Sequence, residues 1–103
     1  MPTDAETLQR LRDAGSDLSK LHRVVYQLRF ANEDEAERAR ARLEDLAFQV
    51  TVQRADANGE FVLQAAKRMY PVQSDLEQLS TKVRSVAADD NGIYEGWRAT
   101  QLP

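Results

Sequence analysis

The sequence predicts an α+β protein with a ferredoxin-like βαββαβ sandwich, in which helices cover one face of a four-stranded antiparallel sheet and a short N-terminal helix precedes it. Three observations support this fold class. Apolar residues alternate with a period of two in four segments and recur at helical spacing in three others. The helical and strand segments follow each other in the βαββαβ order, and an Asn-Gly pair joins the middle two strands. We expect a single domain over residues 1–103, with an N-terminal extension over 1–20 and the core over 21–101.

The N-terminal segment is predicted to form a short helix over residues 4–14. Thr3 and Glu6 have the spacing of a capping box, leucines recur on one helical face, and Gly15 ends the pattern. The following stretch, GSDLSK, is predicted to be a loop.

The first strand is predicted over residues 23–31, where apolar and polar side chains alternate. A second helix is expected over about residues 33–46, because Asn32 stands three residues before Glu35 and acidic residues fill the first turn. In the first strand, the residues expected to lie together on one side are Val24, Tyr26, Leu28 and Phe30.

The second and third strands are predicted over residues 48–54 and 60–69. Asn58 and Gly59 between them are typical of a tight hairpin turn, and Pro71 ends the third strand. In the third strand, Phe61, Leu63 and Ala65 are expected to face the core, and the outward residues are Val62, Gln64, Ala66 and Arg68.

The last helix is expected to begin after the proline, where Ser74 and Glu77 repeat the capping-box spacing. It is expected to end near Asp89, because Asn91 and Gly92 favour a left-handed stop.

The final strand, predicted over residues 93–101, contains a glycine directly before the only tryptophan. An edge strand tolerates glycine best at a bulge. A bulge at Glu95 and Gly96 would let Glu95 leave the core side while Trp97 turns inward. This favours a structural corner of the core for Trp97 over a ligand pocket.

Composition excludes several classes of protein. With 42% hydrophobic and 30% charged residues, the chain is an ordinary globular protein, and no apolar run approaches the roughly 20 residues that cross a bilayer. The absence of cysteine excludes disulfides, thiolate nucleophiles and cysteine-based zinc sites. The N-terminal residues lack a basic patch followed by an apolar stretch, so a cytoplasmic protein without a membrane partner is expected.

The sequence predicts no catalytic, cofactor-binding or metal-binding residues, and therefore no enzyme. His22 is the only histidine and stands in no motif, and the four glycines are isolated from one another. The acidic clusters fall at helix ends, where they stabilise the helix or keep it soluble.

Charge is distributed unevenly, with acidic helical segments and a positive remainder, although the net charge is −3. The net charge makes direct nucleic-acid binding unfavourable. Arg29, Arg68 and Arg98 are expected on the open sheet face and would serve a small RNA-binding domain, the main alternative function. The aromatic pattern of an RNA-recognition motif is missing there, and such a face is more commonly only solvated.

Three stretches together carry a family resemblance: AGSDLSKLHRVVYQLRF after the first helix, the helix after KRMYP, and the closing GIYEGW. They resemble the ribonuclease E inhibitor B family, also called regulator of ribonuclease activity B, over about residues 6–98. The resemblance implies a ferredoxin-like protein without catalytic activity that binds the non-catalytic scaffold region of the ribonuclease and lowers its cleavage of RNA. The family motifs fall on Gly15, Ser16, Asp17, Tyr94, Gly96 and Trp97.

An arginine-rich scaffold segment would suit the acidic helices of this chain as a protein partner. A general protein-interaction domain with another partner is a further alternative, and both a monomer and a homodimer are compatible with the pattern. The candidate partner-binding residues are Glu33, Asp34, Glu35 and Glu37.

Overall fold

The computed structural model describes residues 3–55 and 59–103 and contains seven helices and strands in the predicted order. Each predicted boundary lies within two residues of the observed one. The elements are α1 (Asp4–Asp13), β1 (His22–Phe30), α2 (Glu33–Asp45), β2 (Gln49–Arg54), β3 (Phe61–Met69), α3 (Gln73–Asp89) and β4 (Ile93–Gln101).

The four strands form one sheet in the order β2-β3-β1-β4, and each neighbouring pair is antiparallel. β1 pairs with β3 over its whole length, from His22 opposite Met69 to Phe30 opposite Phe61. The predicted ferredoxin-like α+β arrangement with a leading helix is therefore confirmed. The predicted turn at Asn58 lies outside the described residues.

The core lies between the helices and one face of the sheet. The predicted strand parity is confirmed, because Leu63 and Ala65 are buried in this core and Phe61 packs against it. The other face carries no helix and is called the open face here. The fully or almost fully buried core residues of β1, α2 and α3 include Val24, Tyr26, Leu28, Phe30, Ala36, Ala39, Leu43, Leu76, Val83 and Val86.

Tyr26 lies at the centre of this core. Its ring centroid is 6.0 Å from that of Phe48, 6.2 Å from Tyr94 and 6.5 Å from Trp97. The hydroxyl donates to the Leu76 carbonyl over 3.2 Å and lies 3.1 Å from Ser80 Oγ. Burial raises the pKa of Tyr26 above its ordinary value, so the buried phenol stays neutral.

Each of the three helices ends in the same motif. The residue after the C-cap has a positive φ: Gly15 (92°), Ala47 (68°) and Asn91 (59°). The N–H of the next residue then donates to a carbonyl in the last helical turn, which defines the Schellman motif. The donor and acceptor residues are Ser16 and Leu11 (3.0 Å), Phe48 and Leu43 (3.1 Å), and Gly92 and Ala87 (2.7 Å).

The predicted stop at Asn91 and Gly92 is confirmed, but the two residues have different roles. Asn91 adopts the left-handed conformation. Gly92 is needed for space, since a Cβ there would lie 2.4 Å from the Phe30 ring. The glycine therefore lets the chain after α3 pass close to Phe30, the last residue of β1.

Replacing Ala47 with glycine is expected to stabilise the protein by about 1 kcal/mol, because the left-handed conformation penalises a Cβ that glycine lacks. Ala47 is exposed, so the core is not changed. Ala14 is the matched control, because its φ of −80° is an ordinary helical angle at which glycine gives no such gain. Urea unfolding followed by circular dichroism measures both variants, and a shift of both in the same direction would contradict the prediction.

The helix starts are only partly as predicted. The capping residues Thr3 and Asn32 accept hydrogen bonds from Glu6 N and Glu35 N, as expected. The predicted capping box at Ser74 and Glu77 is wrong. α3 already begins at Gln73, and its N-cap, Val72, makes no side-chain capping bond.

The reason is that Ser74 already lies inside the first turn of α3 and has helical geometry. A capping residue must instead have extended backbone, so that its side chain can reach the free N–H groups. Glu77 accepts a bond from Gln73 Nε2 over 2.9 Å, a contact across one helical turn.

Candidate partner-binding site

Two residues of the family motifs, Trp97 and Asp17, form hydrogen bonds that connect the N-terminal segment with β4. Trp97 Nε1 donates to the carboxylate of Asp4 over 2.8 Å, and Asp17 N donates to Gln101 Oε1 over 2.9 Å. The first turn of α1 and the loop after α1 are thus each tied to the last strand. Each of the two family motifs, which are about 80 residues apart in the chain, thus supplies one of these two contacts between the N-terminal segment and β4.

The GSD motif shapes the loop between α1 and β1. Gly15 is the left-handed residue that ends α1. The Asp17 carboxylate accepts bonds from Ser19 N (3.0 Å) and Ser19 Oγ (2.6 Å), and these bonds hold the pKa of Asp17 below its usual value. Ser16 contributes its backbone N–H to the helix stop. The motif therefore fixes the turn between α1 and β1 through its own hydrogen bonds.

The glycine of the YEGW motif forms the predicted bulge. Tyr26 on β1 pairs with Trp97, and Leu28 pairs with Tyr94, so that Glu95 and Gly96 together lie opposite a single residue of β1. Gly96 has a φ of 98°, a conformation that other residues rarely adopt. The bulge shifts the alternation of core-facing and open-face side chains along β4 by one residue.

Because of the bulge, Tyr94 and Trp97 both pack against the core while Glu95 lies on the open face. Glu95 Oε1 accepts a bond from Gln27 Nε2 over 3.0 Å. Trp97 is partly buried and lies beside Tyr26. Its position agrees with a corner of the core.

The four candidate acidic residues of α2 do not form one exposed group. Glu33, Asp34 and Glu37 are exposed, but Glu35 is only 8% exposed. Its carboxylate accepts a bond from Asn32 Nδ2 over 2.7 Å. The sequence placed Glu35 with its neighbours because acidic residues are common in a first helical turn, whereas the structure uses it to complete the helix cap.

Two other acidic residues of the helical layer, at the end of α3, are already neutralised. Arg38 pairs with Asp90 over 3.2 Å and Arg42 with Asp89 over 2.9 Å, so these two ion pairs connect α2 with α3. Within the described ranges, Glu33 and Asp34 form no ion pair, while Glu37 pairs with Arg40 over 3.4 Å. The start of α2 is thus an exposed negative surface, which we call the acidic edge (Glu33, Asp34 and Glu37).

The only histidine is buried. His22 has no exposed surface, and its Nδ1 lies 2.8 Å from the Lys20 carbonyl, which makes Nδ1 the donor. The sequence showed no motif around this residue, and the structure places it on the core side of β1. A base in that position has no access to a substrate.

Among residues 3–55 and 59–103, no group of three or more histidine, aspartate or glutamate side chains could hold a metal ion. None of the helices in this part of the chain is long and apolar enough to cross a membrane.

A family model described as regulator of ribonuclease activity B (RraB) matches residues 3–98. The chain belongs to the RraB family. The resemblance carried by the GSD and YEGW motifs is therefore confirmed. No curated protein matches the chain at a significant level.

Among solved structures, the de novo designed protein Foldit4 is similar to this RraB family member. It has a TM-score of 0.58 and 21% sequence identity, and the match covers 82% of this chain and all of the designed one. Identity at that level shows the fold alone. The role of the chain as a member of a family of ribonuclease regulators thus rests on the RraB match.

Sequence reasoning missed the partners of the RraB motif residues. Asp4 and Gln101 bond Trp97 and Asp17 across 93 and 84 positions of the chain, and no local pattern marks such pairs. It also missed Arg23 on the open face. The alternation of β1 could have found this residue, because Arg23 has the same parity as Gln27 and Arg29.

Proposed function

We propose that the protein is a non-catalytic regulator that binds a ribonuclease of the ribonuclease E type and lowers its cleavage of RNA. The observation that carries the proposal is the RraB family match over residues 3–98. A regulator of this kind needs a surface complementary to its partner and no reactive groups. The burial of His22 and the structural use of the motif residues support that view.

The helical layer offers the surface for this partner. The three helices contain twelve acidic and seven basic residues, whereas the four strands contain one acidic and six basic residues. The basic residues of α2 are paired within the layer, and Glu33 and Asp34 of the acidic edge have no ion pair among the described residues. An arginine-rich segment outside the catalytic part of the ribonuclease would dock there. Charge complementarity of this kind mainly accelerates association.

Charge reversal at the acidic edge tests this placement. The variant E33K/D34K/E37K is expected to associate with the scaffold region of ribonuclease E about tenfold more slowly at low salt, with a difference that shrinks as salt is added. Inhibition of RNA cleavage should weaken in parallel. Surface plasmon resonance and cleavage of a fluorescent RNA measure the two effects.

A matched control is E44K/D45K, which reverses two exposed charges at the opposite end of the same helix. It should leave the association rate within about twofold of that of the unmodified protein, as expected for charges away from the docking surface. Equal association rates for the unmodified protein and both variants would show that the acidic edge is not the docking surface. Absence of binding by the unmodified protein would reject the ribonuclease partner itself.

A further inference from the structure

Three arginines lie together at one end of the open face. Arg23 of β1 is directly opposite Arg68 of β3. Arg98 of β4 pairs with Val25, which places it diagonally from Arg23. Side chains of directly opposite residues start about 5 Å apart, and those of diagonal neighbours about 7 to 8 Å apart. We call Arg23, Arg68 and Arg98 the arginine cluster; all three are exposed.

The arginine cluster is not neutralised within the described part of the chain. Arg29, on the same face, is paired with Glu60 over 3.1 Å and with Glu95 over 3.4 Å. No such ion pair forms for any member of the cluster among residues 3–55 and 59–103. Like charges placed directly opposite on neighbouring strands repel each other. A bound anion would relieve this repulsion.

The surface around the arginines has a small apolar floor. Val25 and Ala66 are each only 4% exposed, although they lie on the face without helices. A depression at this end of the sheet is lined by Arg23, Ala66 and Arg68 together with Ala47, Gln49 and Lys67. Tyr70, two residues after Arg68, is 56% exposed. An exposed aromatic residue therefore follows the cationic rim just beyond the end of β3.

We propose that the arginine cluster binds the phosphate backbone of single-stranded RNA. The planar guanidinium group matches phosphate through paired hydrogen bonds. Sequence-independent binding of single strands commonly joins a positive surface with an aromatic side chain on which a base stacks, and Tyr70 provides that ring. The family regulates an enzyme that acts on RNA, so RNA is present where this chain works.

This inference departs from two expectations from the sequence. The net charge of −3 disfavoured nucleic-acid binding, but the negative residues are concentrated in the helices. The alternative RNA surface contained Arg29, whose charge is already compensated; Arg23 takes its place. The acidic edge belongs to the helical layer and the cluster to the open face, so the RNA contact does not depend on the proposed binding of a ribonuclease.

The test uses the full chain and a fluorescein-labelled oligouridine RNA, with fluorescence anisotropy as the readout. Binding is expected at low salt. Three phosphate contacts predict a slope of about −2 when the logarithm of the association constant is plotted against the logarithm of the salt concentration. Each contact on a single strand contributes about −0.7 to this slope. In the R23Q/R68Q variant, binding should be at least about tenfold weaker and the slope should approach −0.7.

The variant R10Q/R12Q is the matched control, because it removes two exposed charges from α1 on the other side of the sheet. It should bind within about twofold of the unmodified protein, since it leaves the three phosphate contacts intact. Tyr70→Leu should weaken binding severalfold without changing the salt slope, because stacking involves no counterion release. Circular dichroism checks that each variant is folded.

Three outcomes would overturn the inference: no saturable binding at low salt, equal losses in R23Q/R68Q and R10Q/R12Q, or displacement of the RNA by an oligoglutamate peptide of the same charge at the same concentration. The last outcome would assign the cluster to an acidic protein segment. Unchanged binding of ribonuclease E by R23Q/R68Q would show that the two surfaces act separately, as we infer.

Discussion

Replacing Trp97 with alanine is expected to destabilise the protein by about 3 kcal/mol, near the lower end of the range for a large aromatic residue because the side chain is only partly buried. The variant loses packing against Tyr26 and the hydrogen bond to Asp4. Because Trp97 is the only tryptophan, its removal also removes the tryptophan fluorescence signal. Urea unfolding should therefore be followed by far-ultraviolet circular dichroism.

Two further variants separate the contributions of Trp97. Trp97→Phe keeps an aromatic ring but cannot donate to Asp4, so it should cost about 1 kcal/mol beyond any change in packing. Asp4→Ala removes the same bond from the other side, and the double variant should cost less than the sum of the two single changes. If Trp97→Ala kept its unfolding midpoint and instead lost the ribonuclease, Trp97 would be a binding residue and the structural role would be wrong.

Replacing Tyr26 with alanine is expected to have the largest effect, about 4 kcal/mol or more, because this fully buried ring packs against three other aromatic side chains. Tyr26→Phe is the control that removes only the hydroxyl. It should cost about 1 to 2 kcal/mol, since Ser80 Oγ loses a buried partner. Equal losses for both substitutions would mean that the hydroxyl and not the ring dominates.

The same residue predicts a dependence on alkaline pH. Burial raises the pKa of Tyr26 in the folded state above that of the unfolded chain, so the folded state retains its proton longer. Stability from this group is fully present below the ordinary tyrosine pKa of about 10 and is lost as the pH rises beyond it. Part of this loss should be absent in Tyr26→Phe, as measured by urea unfolding at a series of pH values.

Local chemistry explains why much of the fold could be predicted. Thr3 and Asn32 cap helices through bonds to residues three positions away, and Gly96 marks a bulge because glycine is unfavourable in a regular strand. Local spacing also explains the error at Ser74. The same pattern is compatible with more than one helix start, and only the packed structure shows that the N-cap is Val72, two residues earlier.

The candidate surfaces were harder to predict because the charge of a side chain can be neutralised by a residue far away in the sequence. Arg29 was expected on the open face as a candidate RNA contact, yet it is paired with Glu60 and Glu95, which are 31 and 66 positions away. Glu35 looks like its exposed neighbours in the sequence, and only its burial against the helix start separates it from them. The cluster around Arg23 becomes visible once the register of β1 with β3 and β4 is known.

The bulge in β4 also affects how the sheet could meet another molecule. β4 is an outer strand, and outer strands can add a strand from another chain through their unpaired backbone groups. At Glu95 and Gly96 the regular spacing of these groups is interrupted. An incoming strand would match either the first two residues of β4 or the segment after Gly96, but not both in one register. The irregular strand thus works against growth of the sheet at this edge.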